Sequence, residues 1–135
     1  MSSFAEDLHA ALAGPLHEIS PKYFYDAEGS ALFERICELP EYYPTRTELA
    51  LLQRHARDMA AQMGHHVQLV EYGAGALRKV RLLLDAMPRD SVQFVPVDIS
   101  GPHLLGACDG LAADMPGLDI QPLVADFTRP HSLPP

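Results

Sequence analysis

Apolar side chains in the first 64 residues recur every three or four positions, the spacing that places them on one face of an amphipathic helix. Glycine- and proline-containing breaks separate three such stretches. The predicted helices cover residues 4–13, 31–39 and 45–63. Ser30 is predicted to cap the second helix, and Thr45 with Glu48 has the spacing of a capping box at the start of the third. Gly64 is predicted to end that helix.

After Gly64 the pattern changes to short apolar runs that alternate with helical segments. Such runs are typical of strands buried on both faces of a parallel sheet. The predicted strands cover residues 66–72, 92–98 and 119–127, and the predicted helices between them cover 77–87 and 102–115. Pro96 lies inside the second strand, where it is tolerated near the strand end. The alternation predicts an α/β fold that begins a doubly wound parallel sheet.

Composition and charge narrow the class of protein. The chain has 135 residues, of which 47% are hydrophobic and 21% charged, as in one globular domain. The formal net charge of -8 argues against a nucleic-acid backbone or an anionic membrane as the main partner. No apolar run is long enough to span a bilayer, and the first residues lack the basic region of a secretory signal. With only two cysteines, a reducing cytoplasm is the default, so we expect a cytoplasmic protein.

Cysteine and histidine spacing gives no sign of a disulfide framework or a metal site. The two cysteines are too few for such a framework, and neither has a second cysteine at CxxC spacing. The seven histidines are scattered or adjacent, without the i, i+4 spacing of helical metal ligands. The sequence predicts no metal.

A glycine-containing turn, Gly73-Ala74-Gly75, closes the first predicted strand and opens a helix. In α/β sheets this position binds ligands, because glycine lets the main chain turn tightly and approach the ligand. A dinucleotide fingerprint requires a third glycine at position 78, where this chain has Arg78. No Gly-Lys-Ser/Thr follows, so a Walker loop is also excluded. A purely structural turn remains an alternative at this point.

Two acids at the ends of the next strands add to this pattern. Asp98 ends the second predicted strand, where a carboxylate can accept hydrogen bonds from both ribose hydroxyls, although an N-cap role is an equal alternative. Asp126 and Phe127 end the third, where an acid can accept from an adenine amine and a ring can cover the base. A strand-end turn and a core phenylalanine are the alternatives there. Together the three strand ends suggest a nucleoside cofactor without a diphosphate, S-adenosylmethionine.

Four stretches carry a resemblance to a known family: "PKYFYDAEGSALFERICELPEYYPTRTE", "EYGAGALRKVRLLLDAM", "FVPVDIS" and "VADF". They resemble the histidine-specific Nα-methyltransferases of ergothioneine biosynthesis, over about residues 20–128. The segment "LPEYYPTRTE" is much more specific than the glycine turn, which most class I methyltransferases share. The resemblance implies an N-terminal helical segment with a substrate-side loop over residues 1–64. An incomplete Rossmann-like S-adenosylmethionine-binding domain, strands 1–3 of a class I methyltransferase sheet, is implied over residues 65–135.

The resemblance also implies roles for individual residues. Tyr43 is implied to contact the amino-acid substrate, although from its chemistry alone Tyr43 or Tyr42 could be a packing aromatic. Lys79 is implied to reach the methionine end of the cofactor; a solvated basic helix face is its alternative. The implied cofactor-binding residues are Gly73, Lys79, Asp98, Asp126 and Phe127. Glu71 is expected to pair with a neighbouring arginine, and the catalytic residue is unknown because the sequence offers no general base for the amine.

The implied reaction is methyl transfer from S-adenosylmethionine to the α-amine of L-histidine, with a small-molecule amino-acid substrate as the partner. Members of the family are more than twice as long, so a truncated chain or a partial sequence is expected. In their sheet order, 3-2-1-4-5-7-6, strand 1 is central, and here its second neighbour is absent. That unpaired edge leaves self-association open. The alternatives are a non-catalytic remnant and a nucleotide-binding oxidoreductase module, against which Arg78 argues.

Overall fold

The computed structural model describes residues 3–135, which form five α-helices and a parallel sheet. The helices are α1 (Phe4–Ala13), α2 (Ala27–Cys37), α3 (Tyr43–Met63), α4 (Arg78–Leu84) and α5 (Gly101–Asp114). The strands are β1 (Val67–Tyr72), β2 (Val92–Asp98), β3 (Asp119–Ile120) and β4 (Leu123–Val124). Two 3-10 turns cover Pro21–Phe24 and Arg89–Ser91. The predicted sequence of a helical first half followed by α/β alternation is confirmed.

The sheet is built around β2, which pairs in parallel with β1, with β3 and with β4. The register with β1 runs from Val67 opposite Val92 to Tyr72 opposite Val97. The strand order β1-β2-β3 matches the predicted order, and β4 pairs with the carboxyl end of β2. Within residues 3–135, β1 has β2 as its one sheet neighbour. The division of the chain at residue 65 stays a prediction.

The third predicted strand, 119–127, is wrong in its extent. It forms two short pieces, because the intervening Pro122 has no N–H to donate to the ladder. The chain still follows β2: the Gln121 N–H donates to the Phe94 carbonyl at 2.8 Å, and the Ala125 N–H donates to the Asp98 carbonyl at 3.0 Å. Asp126 therefore follows the sheet in a turn that lies directly beside the end of β2.

The starts of two helices differ from the prediction. Asp26, instead of Ser30, caps α2 by accepting from the Gly29 N–H, and Ser30 is buried inside the helix. The predicted capping box of α3 is wrong: the helix begins at Tyr43 without a side-chain cap, and Pro44 occupies its first turn. Proline suits that turn because it has no N–H to leave unpaired.

The core lies between the sheet and the two helices α4 and α5. Its most fully buried side chains include Phe94 on β2, Leu77 before α4, and Leu104 and Leu111 on α5. These apolar contacts fix the two helices against the sheet, and α3 packs on α4. The carboxyl ends of β1 and β2 are thereby held together at one edge. No helix within residues 3–135 is both long and apolar enough to cross a membrane.

Gly29 offers a test of how the N-terminal part packs on α2. A Cβ atom at Gly29 would lie 1.6 Å from the Phe24 carbonyl oxygen, so an alanine there must displace the 3-10 turn. We expect Gly29→Ala to lower the free energy of unfolding by about 1–3 kcal/mol, the usual effect of overpacking. Urea denaturation measures this value.

Gly106→Ala is the matched control for that substitution. Gly106 lies inside α5, and a Cβ atom there would meet nothing within 4 Å among the described residues outside its own helix. Because alanine is the better helix former, we expect this variant to raise the free energy of unfolding by about 0.5–1 kcal/mol. Equal stabilities of Gly29→Ala and the unchanged protein would contradict the packing of the 3-10 turn on α2.

Candidate functional site

A cavity of about 570 Å³ opens at the carboxyl edge of the sheet, between the ends of β1 and β2 and the N-terminal helices. All five residues predicted to bind the cofactor line it: Gly73, Lys79, Asp98, Asp126 and Phe127. Tyr43 is not among its lining residues; it begins α3 with 66% of its surface exposed. The structure thus brings together the residues from three separate strand ends, and leaves the predicted substrate residue outside the cavity.

The glycine turn forms one wall of the cavity. Gly73 and Gly75 have φ values of 68° and 56°, in the left-handed region that favours glycine. The Gly73 N–H donates to the Val97 carbonyl at 2.8 Å, which ties the turn to the end of β2. A Cβ atom on Gly73 would lie 4.0 Å from the ring of Phe127. The bare main chain therefore leaves space between the turn and that ring.

Asp98 joins the glycine turn to the segment that follows β2. Its Oδ2 accepts from the Gly75 N–H at 3.0 Å, and its Oδ1 accepts from the Ser100 N–H at 2.9 Å. An ionised carboxylate has about four acceptor positions, so each oxygen can accept one further hydrogen bond. Asp98 both shapes the turn and keeps acceptor capacity for a ligand with two hydroxyls.

Asp126 is held by neighbours on two sides. Its Oδ1 accepts from the Thr128 N–H at 3.1 Å and the Thr128 hydroxyl at 2.5 Å, and its Oδ2 accepts from Lys22 Nζ at 2.9 Å. The hydrogen bond from the Thr128 hydroxyl, followed by those from Lys22 and from the Thr128 N–H, lowers the pKa of Asp126 to about 2. Asp126 is therefore ionised at neutral pH and acts only as an acceptor.

Phe127 presents an aromatic surface next to that carboxylate. Its ring lies 5.5 Å from the ring of Tyr72, measured between centroids, in a tilted arrangement. Tyr72 also makes an edge contact with His131 at 5.6 Å. Phe127 is 46% exposed, so it is not the core residue that one interpretation of the sequence allowed. Packing by Tyr72 holds the ring where it can cover a flat ligand.

Glu71 is an unexpected feature of the cavity. The expected pairing with a neighbouring arginine is wrong: Glu71 Oε2 is buried without a hydrogen-bond partner within residues 3–135. Burial, reinforced by the charges of Glu48 and Asp98 and opposed by Lys79, raises the pKa of Glu71 to about 7. A strand-end acid two residues before the glycine turn was visible in the sequence, but its lack of a partner was not.

Lys79 is in an ion pair with Glu48, with 2.5 Å between Nζ and Oε2. The pair connects α4 to α3. Because both side chains are well exposed, the pair is exchangeable with solvent or a ligand. The predicted role of Lys79 toward a cofactor carboxylate stays a prediction.

Sequence reasoning missed the cavity wall contributed by the N-terminal helices. Lys22 and Tyr25 come from the aromatic-rich loop before α2, and Glu34 and Cys37 come from α2 itself. Glu34 Oε1 lies 3.3 Å from His103 Nε2 on α5, which closes the cavity on that side. Cys37 Sγ accepts a hydrogen bond from the Thr45 hydroxyl, at 3.4 Å. The one signal for this wall was the density of aromatics in the loop.

The charges that face the cavity are mixed but include four carboxyl groups, on Glu34, Glu71, Asp98 and Asp126. Groups of three or more side chains able to hold a metal ion are absent from the described residues 3–135. The carboxyl groups and the Phe127 ring that line the cavity can bind an organic ligand that carries positive charge, hydroxyl groups and a flat ring.

Comparison with known proteins identifies the family of the chain. A family model described as "Histidine-specific methyltransferase, SAM-dependent" matches residues 4–135. Histidine N-alpha-methyltransferase of Mycolicibacterium smegmatis is 42% identical over 124 residues, which is 90% of this chain and 38% of that protein. The protein of the same name from Mycobacterium tuberculosis is 37% identical over 123 residues, again 90% of this chain and 38% of that protein.

A third relative is ergothioneine biosynthesis protein 1 of Neurospora crassa, 39% identical over 82 residues. The match covers 59% of this chain and 9% of that much longer protein. The chain thus spans well under half the length of the curated relatives that it matches.

Proposed function

The chain belongs to the family of S-adenosylmethionine-dependent, histidine-specific methyltransferases, and from this membership we propose that it binds S-adenosylmethionine in the cavity at the carboxyl ends of β1 and β2. The observation that carries the proposal is the convergence of Gly73, Asp98 and Asp126 on one cavity, although 53 residues separate the first from the last. The proposed whole-protein activity is methylation of the α-amine of L-histidine.

The residues present fit this cofactor. Gly73 offers main chain without a side chain in front of the Phe127 ring, and Asp98 has free acceptor positions for two ribose hydroxyls. Asp126 is an ionised acceptor for the adenine amine, and Phe127 can cover the base. The Oε2 atom of Glu71, buried without a hydrogen-bond partner among the described residues, suits a cavity that receives a cationic ligand.

S-adenosylmethionine supplies a methyl group on a sulfonium centre, which an amine can attack in line. The residues of this chain contribute binding and orientation, since such a displacement depends mainly on alignment. Tyr43 is proposed to contact the amino-acid substrate, and Lys79 to reach the cofactor carboxylate. An α-amine is mostly protonated at pH 7, so the site must also remove a proton from it. No residue of the chain is assigned that task.

Titration calorimetry with S-adenosylhomocysteine, the demethylated product, tests the proposal. We expect one saturable site per chain, followed by a separate titration in which histidine is added to the loaded protein. A folded sample, verified by circular dichroism, that gives no heat with the nucleoside ligand would contradict cofactor binding. Binding of S-adenosylhomocysteine without methylation of histidine in a radiolabel assay would restrict the chain to a binding role.

We further propose that the chain self-associates through β1. Within residues 3–135 one edge of β1 pairs with β2 and the other has no strand beside it, which is a template for pairing with another chain. Sedimentation velocity over a hundredfold range of concentration is expected to show a dimer that dissociates on dilution. A monomer mass at every concentration would contradict this proposal and leave cofactor binding unaffected.

A further inference from the structure

We propose that Lys22 is a positioning residue for cofactor recognition, which orients the Asp126 carboxylate and holds the N-terminal segment, residues 4–24, over that end of the cavity. The inference rests on the proposed function, because it assigns Lys22 to the same site. It adds a residue from outside the Rossmann-like part of the chain, in a loop that no strand end or glycine motif would indicate.

The contact between Lys22 and Asp126 joins distant parts of the chain. Lys22 Nζ donates to Asp126 Oδ2 at 2.9 Å, across 104 residues of sequence. The side chains are only 18% and 8% exposed, so this ion pair is largely shielded from water. Shielded, hydrogen-bonded pairs of this kind are stronger and better defined than surface pairs. Both residues also line the cavity.

The carboxylate of Asp126 is fixed from both of its oxygens. Thr128 donates twice to Oδ1, but Thr128 is only two residues away and moves with the same turn. Arg129 Nε lies 3.6 Å from Oδ2, also within that turn. Lys22 is the partner that relates the carboxylate to the rest of the fold. Because Oδ2 can accept a second hydrogen bond, an adenine amine can bind it beside Lys22.

Lys22 also connects Asp126 to the N-terminal segment. Lys22 Nζ lies 3.6 Å from Asp7 Oδ2 on α1, and the Tyr23 hydroxyl donates to the same carboxylate. The Tyr23 ring makes an edge contact with Phe4, with 5.0 Å between centroids. The helix α1 and the 3-10 turn are thus linked to Asp126 through the ammonium group of Lys22. Removing that group would release the N-terminal segment from the turn that contains Asp126.

The charges of Lys22 and Asp126 also support a positioning role for Lys22. The hydrogen bond to Asp126 raises the pKa of Lys22 above its usual value, which means that the ammonium form is stabilised beside that carboxylate. Without it, Asp126 would be a shielded carboxylate whose nearby cation, Arg129, lies in its own turn. Removing one partner of a shielded pair leaves the other poorly compensated, which favours water entry and movement of the turn. Cofactor affinity should therefore depend on Lys22 without direct contact to the cofactor.

A double-mutant cycle with S-adenosylhomocysteine tests this dependence. Lys22→Met keeps the length of the side chain and removes its charge, and Asp126→Asn removes the negative charge that pairs with Lys22 and replaces one of the two acceptor oxygens with an NH2 group. We expect each single variant to weaken binding by about tenfold, the effect of one charge-assisted hydrogen bond. Because Lys22 acts through Asp126, the double variant should bind no more weakly than Asp126→Asn alone. Arg57→Met removes one positive charge from an exposed position of α3 and should bind like the unchanged protein.

Hydrogen exchange of the ligand-free protein provides a second readout. Lys22→Met is expected to speed amide exchange across residues 4–24, whereas Arg57→Met leaves it unchanged. An effect of Lys22→Met that is equally large in the Asp126→Asn background would mean a general structural role and overturn the inference. So would unchanged affinity or unchanged exchange in Lys22→Met. If the unchanged protein fails to bind S-adenosylhomocysteine, the proposed function is wrong and recognition by Lys22 falls with it, whereas faster exchange still supports its hold on the segment.

Discussion

Replacing Asp98 with alanine is expected to weaken binding of S-adenosylhomocysteine by about 100-fold or more. In the proposed binding mode, two hydrogen bonds from ribose hydroxyls to the carboxylate are lost, each contributing about 1.5–3 kcal/mol when one partner is charged. The substitution also removes the acceptor of the Gly75 and Ser100 N–H groups, at 3.0 and 2.9 Å, so the glycine turn itself loosens. Titration calorimetry measures the change in affinity.

Two further variants separate these effects. Asp98→Asn keeps the shape of the side chain and one acceptor, so it should preserve the turn and show an intermediate loss of affinity. Asp109→Ala removes one negative charge from an exposed position of α5 and should leave affinity unchanged. If Asp98→Ala folds and binds S-adenosylhomocysteine as tightly as the unchanged protein, the carboxylate does not face the ribose.

Replacing Glu71 with glutamine is expected to stabilise the ligand-free protein above pH 7. Burial raises the pKa of Glu71 from 4.5 to about 7, so the folded state favours the protonated form. As the pH rises from about 4.5 to about 7, the unfolded chain releases this proton first, and stability is lost until both states are ionised. The full shift corresponds to at most about 3 kcal/mol, an upper limit because the side chain remains partly open to solvent.

The test compares the free energy of unfolding of Glu71→Gln and the unchanged protein at several pH values between about 4.5 and 8.5, a range that spans both pKa values. The two should be similar at the lowest pH and diverge as the pH rises, with the variant more stable. Glu41→Gln, at an exposed position next to the third helix, is the control and should show no such divergence. A difference that stays constant with pH would mean that Glu71 has the same pKa in the folded and the unfolded chain, and is not a buried acid with a raised pKa.

Local sequence signals predicted the sheet well. The runs that became β1 and β2 are apolar and end in the residues that turn toward the cavity, so their positions followed from pattern alone. The predicted strand around Pro122 was too long, because proline interrupts the hydrogen bonds between strands and the hydrophobic pattern gives no sign of this. The start of α3 was misplaced because the Thr45–Glu48 spacing suggested a cap, whereas the helix begins two residues earlier, at Tyr43, with Pro44 in its first turn.

For the candidate site, too, the sequence predicted some features and not others. Gly73, Asp98 and Asp126 were found because each lies at a strand end, where the topology of a parallel sheet brings chain segments together. The contact between Lys22 and Asp126 was not predicted, because it spans 104 residues and no periodicity in the sequence indicates it. The state of Glu71 depends on the burial of a single oxygen, which only packed coordinates reveal.

The most direct measurement of the central claim is a ¹H–¹⁵N correlation spectrum of the labelled chain during titration with S-adenosylhomocysteine. The adenosyl group should lie across the carboxyl ends of the strands, so the amides of Gly73, Gly75, Ser100 and Phe127 should shift together and saturate at one equivalent. Shifts confined to other surfaces, such as the exposed face of α3, or a spectrum of a folded protein that does not change, would contradict it.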